Sequence, residues 1–437
     1  MDSYRLLALT RWNPWIETPS VAEAWLDGHV PASFVPRRPA SAVPSADPSR
    51  ALLVIGPRQA GKSTFLWQLI RGRHRRVLFV PCDDPVLREW CHSPAAFLAD
   101  VERLPVRPEA IFLEEAQHLA EAGLFVKGLI DLRAGVSVYV TGSSSYHLRA
   151  RVRESLAGRS SRVRLYPFSL GEILASQGVT GNDLRAEALA SPAVVRLARF
   201  GGYPAVFLNG NEPQRLQELV EAFVLRDASD VFGVRKPAAF RTLARLMAGQ
   251  AGNVVNLSEW AALAHVATST IGEWAGILEE CHVVRLLPLF AGGKRVELTA
   301  SPKVFFLDAG LRNSLLGDFS PLDARADRGA LFENLVFSEL AKAVAEPDDL
   351  FHWRTKGGAE VDFVLWRPGD APVGIEAKLE ARPGRVSRGA RSFLDAYRPE
   401  VFLTVTLGEE GESSVDGIRC LWVRPHRLAG VLPVRFR

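Results

Sequence analysis

The sequence of 437 residues contains little cysteine, no long apolar run and almost no excess of charge of either sign. Its four cysteines, Cys82, Cys91, Cys281 and Cys420, have neither metal-ligand spacing nor a disulfide pattern, so we expect reduced thiols. No run approaches about 18 uncharged apolar residues and no signal segment opens the chain, which predicts a cytoplasmic protein without a membrane partner. A formal net charge of +4 leaves any nucleic-acid contact to local basic patches.

The composition divides the chain into five parts. Residues 1–50 are rich in proline and tryptophan, which predicts an arm and a linker. Residues 51–167 alternate apolar runs with helical patterns, which indicates a parallel sheet between helices. Residues 168–235 are predicted to form a helical lid over the nucleotide site of the preceding part. Residues 236–320 match a winged-helix outline, and residues 321–437 are predicted to form a helix followed by strands. The predicted fold class is α/β, with a parallel sheet, a helical lid, a winged helix and a second α/β domain.

The predicted parallel sheet has four apolar runs as its strands: 51–55, 77–80, 110–113 and 136–141. Between the first run and a helical pattern lies GPRQAGKST, which fits GxxxxGK[ST]. In this order the loop amides and the positive end of the helix dipole surround an anion, so we expect ATP phosphates here. Lys62 would reach the β- and γ-phosphates and Ser63 would bind Mg²⁺. The predicted nucleotide ligands are Gly56, Gln59, Ala60, Gly61, Lys62, Ser63 and Thr64. The alternative is a glycine-rich turn with a solvated lysine.

An apolar run that ends in Glu114 and Glu115 supplies the acids that hydrolysis needs. We expect Glu115 to polarise the attacking water and Glu114 to hold the magnesium shell through water. The next apolar run leads to Ser143, which is predicted to contact the γ-phosphate or the water, with Ser144 as the other choice. Simpler explanations are the solvated end of a buried strand and ordinary loop chemistry.

Five segments occur in the order found in one group of proteins: GPRQAGKST at 56–64, EEAQ at 114–117, TGSSS at 141–145, ESLAGR at 154–159 and LYPFS at 165–169. In these segments the chain resembles a bacterial and archaeal group of AAA-like P-loop ATPases, in which a carboxyl-terminal domain of uncharacterised function follows the ATPase. The resemblance covers the chain from Ala51 onward and departs at Glu114, where the group usually has Asp. It implies that Arg159 is an arginine finger acting on a neighbouring subunit of a homo-oligomer. Local pairing of Arg159 with an acid is the alternative.

Two strand-like segments near the carboxyl terminus carry charged residues on one face. Side chains alternate along a strand, so Glu360 and Asp362 share one face. Glu376 and Lys378 share a face in the same way on the next segment. This pattern is similar to the D…ExK arrangement of PD-(D/E)xK nucleases, which have a restriction-endonuclease-like fold. The resemblance implies Mg²⁺ ligands at Asp362 and Glu376, a nucleophile-positioning Lys378, and an extra acid, Glu333, on the preceding helix.

A fold of this kind can also keep its acids for structural pairing while losing the chemistry. The second helix of the winged-helix outline, 268–280, contains no basic residue, although helices that read DNA normally carry Arg, Lys, Asn or Gln. That helix therefore predicts a spacer or a protein contact, with Lys294 and Arg295 of the wing left for phosphate.

The leading hypothesis is an ATP-binding and ATP-hydrolysing AAA-like protein that acts on DNA, with a metal-dependent nuclease domain. The alternative is a nucleotide-dependent protein-interaction switch whose nuclease-like domain is catalytically idle. A kinase-type P-loop phosphotransferase is a third hypothesis, for which no acceptor pocket can be named from the sequence.

Overall fold

The structure is a computed structural model that describes residues 3–39, 43–132, 135–142, 156, 158–179, 184–222, 233–292 and 300–437. The chain divides into two compact units, Met1–Tyr166 and Pro167–Arg437. Within the ranges just given, no helix is both long enough and apolar enough to cross a membrane.

A parallel sheet of five strands organises the first unit, in the order β2-β3-β4-β1-β5. Its strands are β1 (Ala51–Ile55), β2 (Val77–Pro81), β3 (Ala110–Glu114), β4 (Ser137–Gly142) and β5 (Ser160–Arg164). Strands β1 to β4 are continuous buried runs, except for half-buried Glu114 at the end of β3, which is the pattern of parallel strands covered on both faces. The parallel α/β sheet predicted from four apolar runs is confirmed, and β5 adds a fifth strand beside β1.

Two cores lie on the two faces of this sheet, because side chains alternate along each strand. The described helices of the unit are α1 (Ser3–Trp12), α2 (Ala22–Asp27), α3 (Lys62–Arg71), α4 (Pro85–Trp90), α5 (Pro94–Glu102) and α6 (Ala122–Asp131). Leu52 packs in one core with Phe65 of α3. Leu53 packs in the other core with Phe97 of α5 and Phe125 of α6. Helix α3, which begins directly after the glycine-rich loop, is thereby fixed against the centre of the sheet.

Residues 3–28 fold onto the sheet, which corrects the prediction of an arm for this part of the chain. Trp15 is fully buried, and its Nε1 donates a hydrogen bond to the Val77 carbonyl at 2.9 Å. Buried Asn13 donates to the Phe79 carbonyl at 2.9 Å and accepts from the Phe79 amide at 2.7 Å. Strand β2 lies at one end of the sheet, so these side chains satisfy backbone groups that a sheet edge otherwise leaves unpaired.

The second unit begins with a helical part whose apolar faces form one core. Tyr203 and Leu216, from the segment predicted as a lid, share that core with Phe240 and Trp260. The segment is therefore packed into this unit rather than standing apart from it. The elements of this part are α7 (Leu170–Ser176), α8 (Leu184–Phe200), α9 (Pro204–Asn209), α10 (Glu212–Leu219), α11 (Pro237–Gly249), α12 (Leu257–Ala264), α13 (Thr268–Glu280), the antiparallel strands β6 (Val284–Leu287) and β7 (Lys303–Phe306), and α14 (Ala309–Leu316).

Lys294 and Arg295, the wing residues of the sequence prediction, lie outside the described residues. The helix predicted at 268–280 is present as α13 with those bounds.

A mixed six-stranded sheet forms the carboxyl-terminal part, in the order β12-β13-β11-β10-β9-β8. Strands β10, β11 and β13 are parallel, whereas β9 runs antiparallel to β10 and to β8. The elements are α15 (Arg328–Ala343), β8 (Leu350–Arg354), β9 (Glu360–Leu365), β10 (Val373–Lys378), α16 (Arg388–Tyr397), β11 (Val401–Thr406), β12 (Gly411–Val415), β13 (Ile418–Val423) and α17 (Leu428–Val431). This order makes β9 and β10 direct neighbours, so the charged residues of the two strands come together.

Candidate nucleotide site and carboxyl-terminal acidic cluster

The loop between β1 and α3 requires glycine at two positions. Gly61 has φ 87°, in the left-handed region. A Cβ on Gly56 would lie 2.0 Å from the Leu165 carbonyl oxygen, so a larger residue cannot occupy that position. Gln59 also has a left-handed φ of 58°, which is uncommon for a residue with a side chain. The loop is thus bent tightly between the end of a buried strand and the first turn of α3.

Lys62 is the first residue of α3, and its side chain is buried. Its Nζ donates a hydrogen bond to the Pro57 carbonyl at 2.9 Å, so the ammonium points into the loop. Burial lowers the pKa of Lys62 to about 8, with Glu115 and Glu114 opposing the fall and Arg58 adding to it. A buried ammonium whose hydrogen-bond acceptor is a neutral carbonyl is suited to receive an anion.

Ser63 and Glu114 are brought together from α3 and the end of β3. Burial raises the pKa of the Glu114 carboxyl and the Glu115 charge adds to the rise, while the nearby Ser63 hydroxyl opposes it. A hydroxyl beside a carboxylate is a pair of oxygen donors of the kind that Mg²⁺ takes from proteins, together with water and phosphate. The residues at this position therefore fit a magnesium ion bound to a nucleotide.

Glu115 follows directly and is held by two contacts. Its amide donates a hydrogen bond to Thr141 Oγ1 at 2.9 Å, and its carboxylate accepts one from the Gln117 side chain. Its φ of 50° turns the chain sharply out of β3. Thr141 was not among the predicted site residues, although a buried polar residue at the end of an otherwise apolar strand is a recognisable signal.

Arg37 is a second residue of this site that the sequence did not single out. Its guanidinium donates to the Ala60 carbonyl at 2.7 Å and to the Tyr166 carbonyl. It thereby fastens the proline-rich segment before β1 to the nucleotide loop. An arginine pair in a proline-rich stretch carries no local pattern that could have predicted this contact.

Arg159 lies far from the loop of its own chain. It directly precedes β5, whose first residue pairs with Ala51 at the start of β1, whereas the loop follows the end of β1. At about 3.3 Å per residue the separation is about 15 Å or more. The Arg159 side chain pairs with Asp131 at the end of α6, and both groups are partly exposed. Its predicted role across a subunit boundary stays a prediction, and Ser143 and Ser144 lie outside the described residues.

The carboxyl-terminal site combines residues of β9 and β10. Asp362 accepts a hydrogen bond from the Ala377 amide at 2.8 Å, and its Oδ2 lies 3.4 Å from Lys378 Nζ. Glu376 is buried and accepts a hydrogen bond from the Ser387 hydroxyl at 2.5 Å. Burial raises the pKa of Glu376, while Lys378 opposes the rise. The three residues predicted for this site therefore lie on one region of the sheet.

Glu333, the predicted extra acid, has a partner that the sequence did not indicate. Lys303 of β7 places its Nζ 3.4 Å from Glu333 Oε1 and also contacts Glu360. Burial and the Asp362 carboxylate raise the pKa of Glu333, and Lys303 opposes the rise. In the described part of the chain, no group of three or more His, Cys, Asp or Glu side chains is arranged to hold a metal ion. Around Glu333, the residues as placed do not fit a divalent cation.

An open pocket of about 640 Å³ adjoins Glu376 and Lys378. Its wall carries both signs of charge, with Arg382 and Arg385 opposed by Glu380 and Glu409, and Ser387 caps the start of α16. The lysine and arginine side chains of this mixed pocket are the groups in it that phosphates of a polyanion would contact.

The chain matches three family descriptions along its length: "AAA domain" over residues 48–174, "Domain of unknown function (DUF8612)" over 192–322 and "Domain of unknown function (DUF4143)" over 328–424. It is 31% identical over 397 residues to the uncharacterized protein Rv2008c of Mycobacterium tuberculosis, covering 88% of this chain and 83% of that protein. The uncharacterized protein MJ1544 of Methanocaldococcus jannaschii is 22% identical over 333 residues, with 73% of each chain covered.

Among solved structures, AMPPCP-bound DnaA from Aquifex aeolicus matches at a TM-score of 0.23 and 13% identity, covering 53% of this chain and 82% of that one. A likeness at this score supports no conclusion about the present chain.

Proposed function

This chain belongs to the same family as Rv2008c of Mycobacterium tuberculosis and carries an AAA domain, and from this premise we propose that it binds and hydrolyses ATP with Mg²⁺. The observation that carries the proposal is the loop between β1 and α3, in which Lys62 is buried and points inward. Ser63 lies beside it, and its hydroxyl is near enough to the Glu114 carboxylate at the end of β3 to lower the pKa of that group. Both β1 and β3 lie within the matched AAA domain.

Each residue of the site has one task in this proposal. Lys62 presents its ammonium to the β- and γ-phosphate oxygens, whose charge it neutralises. Ser63 and Glu114 would hold Mg²⁺, which when bound supplies further positive charge to the phosphates. Glu115 accepts the proton of the attacking water, and Thr141 keeps the Glu115 backbone in the position that this requires.

The test is a calorimetric titration with a non-hydrolysable ATP analogue, paired with a phosphate-release assay. We expect Lys62→Met to abolish binding, because the buried ammonium is the main charge facing the phosphates. Glu115→Gln keeps binding but lowers turnover by about 10²- to 10⁴-fold, the usual contribution of a general base. Lys127→Met, on α6, is the control and behaves like the parent. Absence of nucleotide uptake by the parent protein would remove the basis of the proposal.

We further propose that the chain acts on DNA. The pocket beside Glu376 and Lys378, with Arg382 and Arg385 on its wall, supports this. Linear, nicked or branched DNA is then expected to stimulate ATP turnover, and DNA affinity is expected to fall steeply with salt. Cleavage in Mg²⁺ or Mn²⁺ that disappears in Lys378→Ala would assign a nuclease step to Asp362, Glu376 and Lys378.

A second candidate function is a nucleotide-dependent protein-interaction switch with an idle carboxyl-terminal domain. The pairing of Lys303 with Glu333 and Glu360 favours it, because acids engaged by a lysine are not free for metal chemistry. Helix α13, which belongs to the predicted winged helix, also carries no basic residue for a DNA groove. DNA that changes neither turnover nor salt response would favour this function over the first.

A further inference from the structure

Lys303 lies among three carboxylates of the carboxyl-terminal part. Its side chain is 4% exposed, with Nζ 3.4 Å from Glu333 Oε1 and in contact with Glu360 Oε1. The negative charge of the Asp362 carboxylate also favours the protonated form of Lys303. The three acids belong to α15 and β9, whereas the ammonium comes from β7, which belongs to the preceding helical part of the unit. Lys303 thus contributes a buried positive charge to an acidic cluster to which it is not adjacent in sequence.

The backbone holds this lysine in place. Lys303 pairs with Leu287 of β6 and also forms a bridge with Val254, so its Cα is fixed from two sides. A buried side chain on a paired strand loses little further freedom when it makes an ion pair. The ammonium is therefore a permanent part of the cluster, in contrast to a surface lysine that swings between water and a partner.

A divalent cation on these acids would compete directly with that ammonium. Magnesium and calcium need carboxylate oxygens at about 2.0–2.6 Å, and a lysine nitrogen already in contact with the same oxygens both blocks and repels the ion. We propose that Lys303 is the resident cation of this cluster, which takes the place of a metal ion and keeps divalent cations away from Glu333 and Glu360. The inference deepens the second candidate function, but it is independent of ATP turnover.

Arg354 offers a matched control, because it is another cation near Glu360. Its Nε lies 3.8 Å from Glu360 Oε2, and its side chain is 51% exposed. An exposed pair at that distance contributes little, whereas a buried pair leaves an uncompensated charge when one partner is removed. Removing Lys303 and removing Arg354 should therefore differ in effect, although both substitutions delete one positive charge near the same acid.

The experiment measures Mn²⁺ binding to nucleotide-free protein by electron paramagnetic resonance. All proteins carry Ser63→Ala, which removes a proposed Mg²⁺ ligand of the nucleotide loop from every sample alike, so that differences between the variants report the carboxyl-terminal cluster. We expect Lys303→Met to bind Mn²⁺ about tenfold more tightly or better than its parent, within the range by which neighbouring groups change metal affinity. Arg354→Met should stay within about twofold of the parent. Mn²⁺ should also raise the melting temperature of Lys303→Met but not that of the parent.

Two results would overturn the inference. One is a folded Lys303→Met protein with no gain in Mn²⁺ affinity. The other is a loss of about tenfold or more in Mn²⁺ affinity when Glu333→Gln is introduced into the parent, which would make Glu333 a metal ligand beside the lysine. The Glu333→Gln protein keeps the Lys303–Glu360 pair and decides the question even if Lys303→Met fails to fold. Unchanged Mn²⁺ binding in Glu333→Gln supports the inference.

Discussion

Burial of the Lys62 ammonium lowers the stability of the folded protein, and this cost follows from the proposed role of the residue. A cation held ready for phosphate must stay buried without phosphate, and that burial lowers its pKa from 10.5 to about 8. A fall of this size corresponds to about 3 kcal/mol of unfavourable free energy in the folded, protonated protein. We therefore expect nucleotide-free Lys62→Met to be more stable than the parent at pH 7, by at most about that amount.

The pH dependence of this difference has a definite sign. Between pH 8 and 10.5 the unfolded chain binds the Lys62 proton more readily than the folded chain does, so the parent gains stability as pH rises. Lys62→Met lacks this gain, and its advantage shrinks across the same window. Urea unfolding of both proteins at several pH values measures the effect, with Lys127→Met as the control. An advantage that does not change with pH would contradict the assignment.

Thr141 holds the Glu115 backbone through one hydrogen bond, which leads to a second prediction. Thr141→Val keeps the shape of the side chain but leaves the Glu115 amide without its acceptor. Losing one such hydrogen bond corresponds to about 1–1.5 kcal/mol, so we expect turnover to fall by about tenfold while nucleotide affinity changes little. Thr141→Ser restores the hydroxyl and should restore turnover. Equal losses in affinity and turnover would show that Thr141 shapes the binding loop instead of orienting Glu115.

The strands that could be predicted from the sequence are those buried on both faces of the sheet. Strands β1 to β4 are apolar runs because helices cover them, and such runs are visible in the sequence. Strand β5, SSRVR, lies at the sheet edge and buries one residue fully, so no apolar run marks it. Ser63 and Glu114 could be singled out from the sequence because each belongs to a recognisable motif. Lys303 was not predictable, because only the tertiary fold brings it to Glu333 and Glu360.

The contacts of the amino-terminal residues also could not be predicted from the sequence, and they lead to a prediction for stability. Proline and tryptophan content suggested an arm, yet Asn13 and Trp15 satisfy the free backbone groups of β2. Asn13→Leu leaves the buried Phe79 amide and carbonyl unpaired, and we expect a loss of about 2–4 kcal/mol in the free energy of unfolding. Urea denaturation measures this loss, with exposed Glu17→Ala as the control. Parent-like stability of Asn13→Leu would mean that the amino-terminal helices leave the sheet edge in solution.

At the scale of the whole molecule, the position of Arg159 connects catalysis to assembly. Arg159 lies at the amino-terminal end of the parallel strands, whereas its own nucleotide loop lies at their carboxyl-terminal end. Because it also pairs with Asp131, it cannot serve that loop. If it acts on a neighbouring subunit, as an arginine finger does, turnover per chain should rise with protein concentration. Arg159→Ala should then lower turnover by about 10³-fold or more. Asp131→Ala, which removes only the local partner, should leave turnover near the parent value.

Mixing two inactive variants distinguishes a shared site from a local ion pair. Glu115→Gln keeps Arg159 but lacks the base, whereas Arg159→Ala keeps Glu115 but lacks the guanidinium. In a mixed assembly, some boundaries place an intact Arg159 against an intact Glu115, so phosphate release should recover in proportion to the number of such boundaries. Two results together would show that Arg159 only pairs with Asp131 and stabilises the first unit. The turnover of the mixtures would never exceed the sum for the two variants, and Arg159→Ala and Asp131→Ala would lose equal turnover.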